Sequence, residues 1–267
     1  MKTMNLYYLF IALLFPLSAL FAQTDTTWNQ KKCAVVLTYD DGLNIDLSHV
    51  IPALDSVNLK ATFYISDYFN GLNAQLLQWK KVAAEGHELG NHTIWHPCDS
   101  RLSGRNFVQS DYDLANYTVR RMDNEIIAMN NFLQAIDGAT TRTFAYPCGD
   151  TKIHDTDYLA PLYKNFIAAR GVTPMMQKIN EINIYNIGCY IMNGQSGAAM
   201  IELVKQAEQT HSLLVFLFHG VGGGHSLNVR LDAHHVLLQY LKAHENSIWV
   251  APLKTVAAYI KEKQNKK

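Results

Sequence analysis

Apolar and polar positions along this chain change period repeatedly. Short runs rich in apolar and β-forming residues stand at 33–38, 61–66, 87–91, 143–146, 166–170, 185–191, 213–218 and 248–250. The run Leu213-Leu214-Val215-Phe216-Leu217-Phe218 is apolar at every position, as in a strand covered on both faces. Between these runs, apolar residues recur at helical spacing over 47–57, 75–85, 111–136, 200–210, 231–245 and 253–261. In the second of these, Leu76, Trp79, Val82 and Ala83 keep that spacing and Gly86 follows as a stop signal. Such alternation predicts parallel β-α units, an α/β fold rather than a sandwich. No internal repeat, low-complexity linker or compositional break interrupts it, so one domain is expected.

Size and charge narrow the picture. At 267 residues and 48% hydrophobic, the chain can bury one large core. Lys+Arg and Asp+Glu both number 23, which gives no basis for a polyanionic partner such as nucleic acid. The N-terminus reads as a secretory signal. Lys2 supplies the positive start, residues 6–21 are almost wholly apolar, and Ala22-Gln23 offers a small-residue cleavage point. Pro16 and the short length argue against a membrane anchor. The expected organisation is a signal peptide over 1–22 and a single domain over 23–267. That domain would be exported, periplasmic or extracellular, with no membrane span left after cleavage. Export permits disulfides, but Cys33, Cys98, Cys148 and Cys189 allow several pairings that spacing does not rank.

The candidate chemistry sits where strands end, the face on which (β/α) barrels carry catalytic groups. Thr38-Tyr39-Asp40-Asp41-Gly42 puts two adjacent carboxylates straight after the first run. His92-Thr93-Ile94-Trp95-His96 puts two imidazoles four positions apart, where one helical turn would aim both the same way. One carboxylate and two imidazoles with a position left open form the ligand set of a catalytic divalent metal. Adjacent residues at a strand end face opposite ways. One Asp is therefore expected to bind the ion and the other to face the water as a base. A plain Asp-Asp-Gly turn capping the next helix is the alternative.

His219 closes the 213–218 run, either as a general acid or as an ordinary strand-end residue. His87 is expected to be structural, and His234 and His235 to lie on a helix surface. Gly222-Gly223-Gly224 reads as a flexible loop without the spacing of a phosphate-binding loop. No G-x-S-x-G elbow occurs, so nucleophilic-serine chemistry finds no support.

These segments resemble the motifs of the polysaccharide deacetylase family, the NodB-homology or carbohydrate esterase family 4 enzymes. The Asp40-Asp41 segment resembles T-F-D-D-G with Tyr39 for Phe, and the His92 segment matches H-[ST]-x-x-H. Ala61-Thr62-Phe63-Tyr64 resembles the strand between them, and Leu217-Phe218-His219 matches the late L-x-H. The resemblance spans roughly 33 to 260. It implies a distorted (β/α) barrel of seven to eight strands, NodB-like. It also implies that Asp41, His92 and His96 hold Zn2+ or another divalent ion such as Co2+ or Ni2+. Asp40 would then be the catalytic base and His219 the acid.

The third motif, R-x-P-x-G, has its counterpart in Ala145-Tyr146-Pro147-Cys148-Gly149. The resemblance assigns the oxyanion position to the backbone N–H of Cys148 and substrate contacts to Tyr146, Pro147 and Leu217. The motif's Arg is replaced by Ala145, and Arg170, ending the next strand, is the candidate to orient Asp40 instead. The fourth motif, D-x-x-D-W, has no convincing counterpart, so no carboxylate can be named as partner to His219.

The implied reaction is metal-dependent deacetylation of an acetylated polysaccharide or oligosaccharide, of N-acetyl-glycan or O-acetyl-xylan type, by a monomer. Two other readings stay open. One is a catalytically weakened carbohydrate-binding member of the same fold. The other is a metallophosphoesterase, which would want more carboxylates for a two-metal site. Specificity is expected from loops 97–107 and 221–227.

Overall fold

The computed structural model describes residues 28–70 and 75–266, so the expected signal peptide lies outside the described residues. The strands are β1 (Cys33–Asp41), β2 (Thr62–Ile65), β3 (Glu88–Asn91), β4 (Arg142–Ala145), β5 (Phe166–Arg170), β6 (Tyr190–Ile191), β7 (Leu213–Phe218) and β8 (Ile248–Val250). The main helices are α1 (Ile51–Ser56), α2 (Leu76–Ala84), α3 (Val119–Asp137), α4 (Gly197–Thr210), α5 (Leu231–Ala243) and α6 (Leu253–Asn265). The eight strands form one parallel sheet in the order β5-β4-β3-β2-β1-β7-β6, with β8 beside the start of β1.

An irregular segment joins the two edges of this sheet. The Ile187 N–H donates to Ala169 O in β5 and the Ala169 N–H to Ile184 O, both at 2.9 Å. A few residues later, Tyr190 and Ile191 pair with β7. The sheet therefore curls into the distorted (β/α) barrel that the motifs implied. The strand expected over 185–191 survives only at its end, because the chain crosses from one edge to the other and leaves the first ladder to join the second.

Side-chain alternation along β1 sets the layers. Ala34 and Val36 cluster with Ala145, Ala168, Val215 and Leu217, and with Val256, Ala257 and Ile260 of α6. Val35, Leu37 and Tyr39 face the other way, onto Leu54 of α1, Val204 of α4 and Leu237 and Leu241 of α5. Burial of each such aliphatic side chain stabilises the fold by about 1.5–3 kcal/mol. A third cluster seats Met122 and Ile126 of α3 on Phe144 of β4.

Three sequence expectations change, and the open cysteine pairing is resolved. The helix expected from 111 begins at Val119, where Thr118 accepts the Arg121 N–H as cap. The chain before it folds into short 3₁₀ turns, one capped by Asp113. His92 to His96 is not helical; Thr93 and His96 both have left-handed backbones, at φ 62° and 50°. His234 is buried, its Nε2 2.7 Å from the Tyr39 hydroxyl. Of the cysteines, Cys98 and Cys148 form a disulfide, while Cys33 and Cys189 are free and buried.

Candidate active site

The C-terminal ends of the strands open into a cleft of about 640 Å³, lined among others by Asp40, Asp41, His92, His96, Cys148 and His219. Alternation along β1 turns Asp40 to the face of Ala34 and Val36 and would turn Asp41 to the opposite one. Asp41 instead takes a left-handed backbone, φ 79°. That twist cancels the alternation and brings both carboxylates to the same imidazole. His92 Nε2 lies 3.7 Å from Asp40 Oδ2 and 3.7 Å from Asp41 Oδ1. His96 Nε2 lies 3.7 Å from Asp41 Oδ1 as well.

The loop that carries the imidazoles is fixed by side-chain bonds to backbone. Asn91 Oδ1 accepts the Thr93 N–H at 2.8 Å, Thr93 Oγ1 the His96 N–H at 3.0 Å, and Glu125 Oε1 the Trp95 N–H at 2.9 Å. His92 Nδ1 lies 2.8 Å from the carbonyl oxygen of Ala145. A carbonyl can only accept, so Nδ1 carries the proton and Nε2 keeps its lone pair for a ligand.

One donor atom each from Asp41, His92 and His96 lies within 4.8 Å of the others. Asp41 Oδ1 is buried and accepts no hydrogen bond among the described residues. Burial, then the charge of Asp40, pushes the Asp41 carboxyl well above its ordinary pKa, an imbalance that a cation would relieve. Burial lowers both His92 and His96, favouring the neutral imidazole that binds metal. The three side chains fit a divalent ion.

Asp40 differs. Burial would push its carboxyl up, but the Arg170 guanidinium, with His92 and His219, outweighs that and holds it below the ordinary value. Arg170 is fully buried, and its Nη2 donates to Asp40 Oδ2 at 2.5 Å. Asp40 Oδ1 is buried and has no hydrogen-bond partner among the described residues, so one oxygen is anchored and the other is free to accept a proton.

Cys148 has a left-handed backbone, φ 54°, in the turn Pro147–Gly149. The disulfide to Cys98 braces it from one side. Arg105 braces it from another, donating to Cys148 O at 3.0 Å and through two bonds to Asp150. Tyr146 and Leu217 line the cleft, while Pro147 is buried in its turn and does not. His219 lies in the cleft wall with its pKa pushed down to about 4, burial outweighing the pull of Asp40.

Sequence reasoning missed several lining residues. Tyr68, Trp95, Phe107 and Tyr112 form an aromatic wall, with Trp95 stacked on Tyr112 at 5.7 Å. His225 stacks on His219. Trp95 lies inside the His92–His96 motif, and Phe107 and His225 lie in the loops 97–107 and 221–227 expected to carry specificity. No periodicity marks which of their side chains line the cleft, because loops assemble them.

Comparisons with known proteins bear on the family and the fold. The sequence profile described as polysaccharide deacetylase matches residues 28–161. A peptidoglycan-N-acetylglucosamine deacetylase of Bacillus cereus is 30% identical over 122 residues, 45% of this chain and 38% of that protein. A chitooligosaccharide deacetylase of Sinorhizobium fredii is 34% identical over 88 residues, 33% of this chain and 40% of that protein. The match thus takes in about two fifths of each of these relatives. The solved structure of a family 4 acetyl xylan esterase from Clostridium thermocellum, in complex with a cobalt ion, superposes with a TM-score of 0.53. It is 20% identical, covers 85% of this chain and 91% of its own, and shows likeness of fold. With half its length matched to the family profile, the chain belongs to the polysaccharide deacetylase family.

Proposed function

We propose that this protein removes acetyl groups from an acetylated carbohydrate by metal-dependent hydrolysis. The observation that carries the reading is the convergence of Asp41, His92 and His96 beside an Asp40 with one anchored and one open oxygen. An ion held by those three residues, zinc or another divalent transition metal, would supply Lewis acidity to the acetyl carbonyl and to water.

The protein's own groups then divide the work. Asp40 Oδ1 takes a proton from the attacking water, and Arg170 keeps that carboxylate charged and in place. The Cys148 N–H donates to the oxyanion of the tetrahedral intermediate, a role worth roughly 3–4 kcal/mol to a transition state. His219 gives a proton to the departing amine or alcohol. Burial holds His219 neutral at rest, so the proton it delivers comes from the reaction: the one Asp40 has removed from water. Acetate leaves with the water's oxygen.

The aromatic wall supports a sugar substrate. Trp95 is 40% exposed and Phe107 63% exposed, each offering a ring face or edge at the cleft mouth where pyranose rings can stack. A two-metal phosphoesterase is disfavoured. Beyond the Asp41 group, the metal-type cluster among the described residues is His96, Cys98 and Cys148, and its two sulfurs are tied in a disulfide. Export is part of the proposal, since a disulfide at the cleft suits an oxidising compartment. Among the described residues, no helix is long and apolar enough to cross a membrane.

Acetate release from a panel of N- and O-acetylated saccharides, with and without added zinc, tests the reading. Release that disappears with chelator and returns with metal is the expected result. Phosphate release from phosphoesters without any acetate release would overturn it.

A further inference from the structure

The proton donor of this site is held by no hydrogen bond. His219 Nδ1 is buried and has no partner among the described residues. An imidazole with nothing bonded to Nδ1 has only packing to set its ring angle. What packs on it is another imidazole. The rings of His219 and His225 stack with centroids 4.7 Å apart and planes 16° from parallel.

His225 is itself fixed. Its Nδ1 accepts the Leu227 N–H at 3.0 Å, so in the neutral ring the proton sits on Nε2. The loop that carries it is pinned at its base. Gly220 N–H donates to Leu227 O at 2.9 Å, and Gly222 N–H to Val229 O at 2.8 Å. Gly223 N–H donates to Asn228 Oδ1 at 2.8 Å.

The glycines of this segment have a shared purpose. A Cβ on Gly220 would collide with Gly223 O, and one on Gly224 would lie 2.9 Å from the Ile45 side chain in a backbone at φ 83°. Only a chain without side chains here doubles back tightly enough to return His225 over His219. The Gly222-Gly223-Gly224 run is thus a built turn with a defined cargo rather than a slack loop.

We infer that His225 is a positioning residue for His219, its stacked ring setting the orientation that a hydrogen-bonded carboxylate would otherwise impose. The inference rests on the deacetylase reading above. His225 need not touch the reacting atoms; it acts through the ring beneath it. Its importance should scale with the leaving group's need for a proton.

The test uses the zinc-loaded full-length protein on two substrates, an N-acetylated chito-oligosaccharide and 4-nitrophenyl acetate. An amine must be protonated to leave, whereas nitrophenolate leaves as the anion. His225→Ala is expected to lower kcat on the amide about tenfold with KM little changed, and on the aryl ester by less than about threefold. Gly224→Ala, which displaces the loop through Ile45, should show the same split. His225→Phe keeps a ring on His219 and should restore most of the amide activity.

Equal loss on both substrates, or a Phe variant as impaired on the amide as the Ala variant, would overturn the inference. So would wild-type amide turnover in His225→Ala. A folded wild type that releases no acetate from any substrate overturns the deacetylase reading itself, and the inference with it. That outcome is separable from any difference among the variants.

Discussion

Arg170 Nη2 stands 2.5 Å from Asp40 Oδ2, across 130 residues of sequence. Strand register explains the meeting. Arg170 is the cross-strand partner of Ala145, the residue standing where the family motif carries its own Arg. The methyl side chain of Ala145 leaves the inner face clear, and the guanidinium passes over the Tyr64 ring, 5.0 Å from its centroid, toward β1. A charge missing at one strand is supplied at the same level by the next.

Removing that charge should be visible in both stability and pH dependence. Arg170→Ala leaves a buried carboxylate uncompensated, a loss of about 3–5 kcal/mol for pairs of this kind. The surviving Asp40 loses what now holds its pKa below the ordinary value. A base with a raised pKa is protonated over a wider range, so the acid limb of kcat/KM should move to higher pH. Arg170→Lys restores charge without the planar fork and should recover only part of the rate. An acid limb unmoved in Arg170→Ala would show that Asp40 does not depend on this partner.

The two adjacent carboxylates should separate cleanly in metal binding. Asp40→Asn is expected to cut kcat by about 10²–10⁴ while zinc still binds, because its anchored oxygen faces Arg170. His92→Ala removes a donor and should weaken zinc binding by at least about tenfold. Calorimetric zinc titration beside turnover measures both. Zinc binding lost in Asp40→Asn and kept in His92→Ala would reverse the assignment.

The sequence made the site's members legible but not its geometry. Strands 166–170, 213–218 and 248–250 lie where the apolar runs placed them, since a buried strand must be apolar along its length. His92 and His96 are nameable from spacing, whereas Asp41 rather than Asp40 is singled out only by the resemblance to the family motif. The means of their convergence was not legible, because helical spacing suggested a turn of helix where the backbone is held left-handed by Asn91 and Thr93. Asp40 and Asp41 were expected on opposite faces, and one φ angle joins them. His234 carries no signal that its helix face meets a phenol rather than water. The Cys98–Cys148 pair and the His219–His225 stack join segments whose proximity depends on the whole barrel.

The disulfide should matter to catalysis as well as to stability. It ties the loop just after His96 to the turn that presents the Cys148 N–H. The double variant Cys98→Ser, Cys148→Ser is expected to lose about 2–4 kcal/mol of stability. A loosened oxyanion donor should lower kcat more than it raises KM. Thiol titration of the unreduced, denatured protein should find only Cys33 and Cys189. Reaction of all four cysteines without reductant would rule the bridge out, and an unchanged kcat in the double variant would remove its catalytic role.

His234 links the core to pH. Its Nε2 meets the Tyr39 hydroxyl at 2.7 Å in full burial, and burial, with a smaller push from His235, lowers its pKa from 6.5 to about 3. Because the folded value lies below the unfolded one, the unfolded chain takes up the proton first as pH falls. The stabilisation is whole above pH 6.5, declines as pH drops toward 3, and is gone below. Each unit of pKa difference corresponds to roughly 1.4 kcal/mol, so the full window amounts to several kcal/mol. His234→Gln keeps a polar neighbour for Tyr39 but cannot titrate. Denaturant unfolding at about pH 7 and about pH 4.5 should show a drop in stability larger in the wild type than in the variant, by about 1–3 kcal/mol. Buried His87, also lowered by burial, remains in both proteins and contributes the same acid sensitivity to each. The difference between the two slopes therefore isolates His234, and parallel slopes would mean that its proton is not coupled to folding.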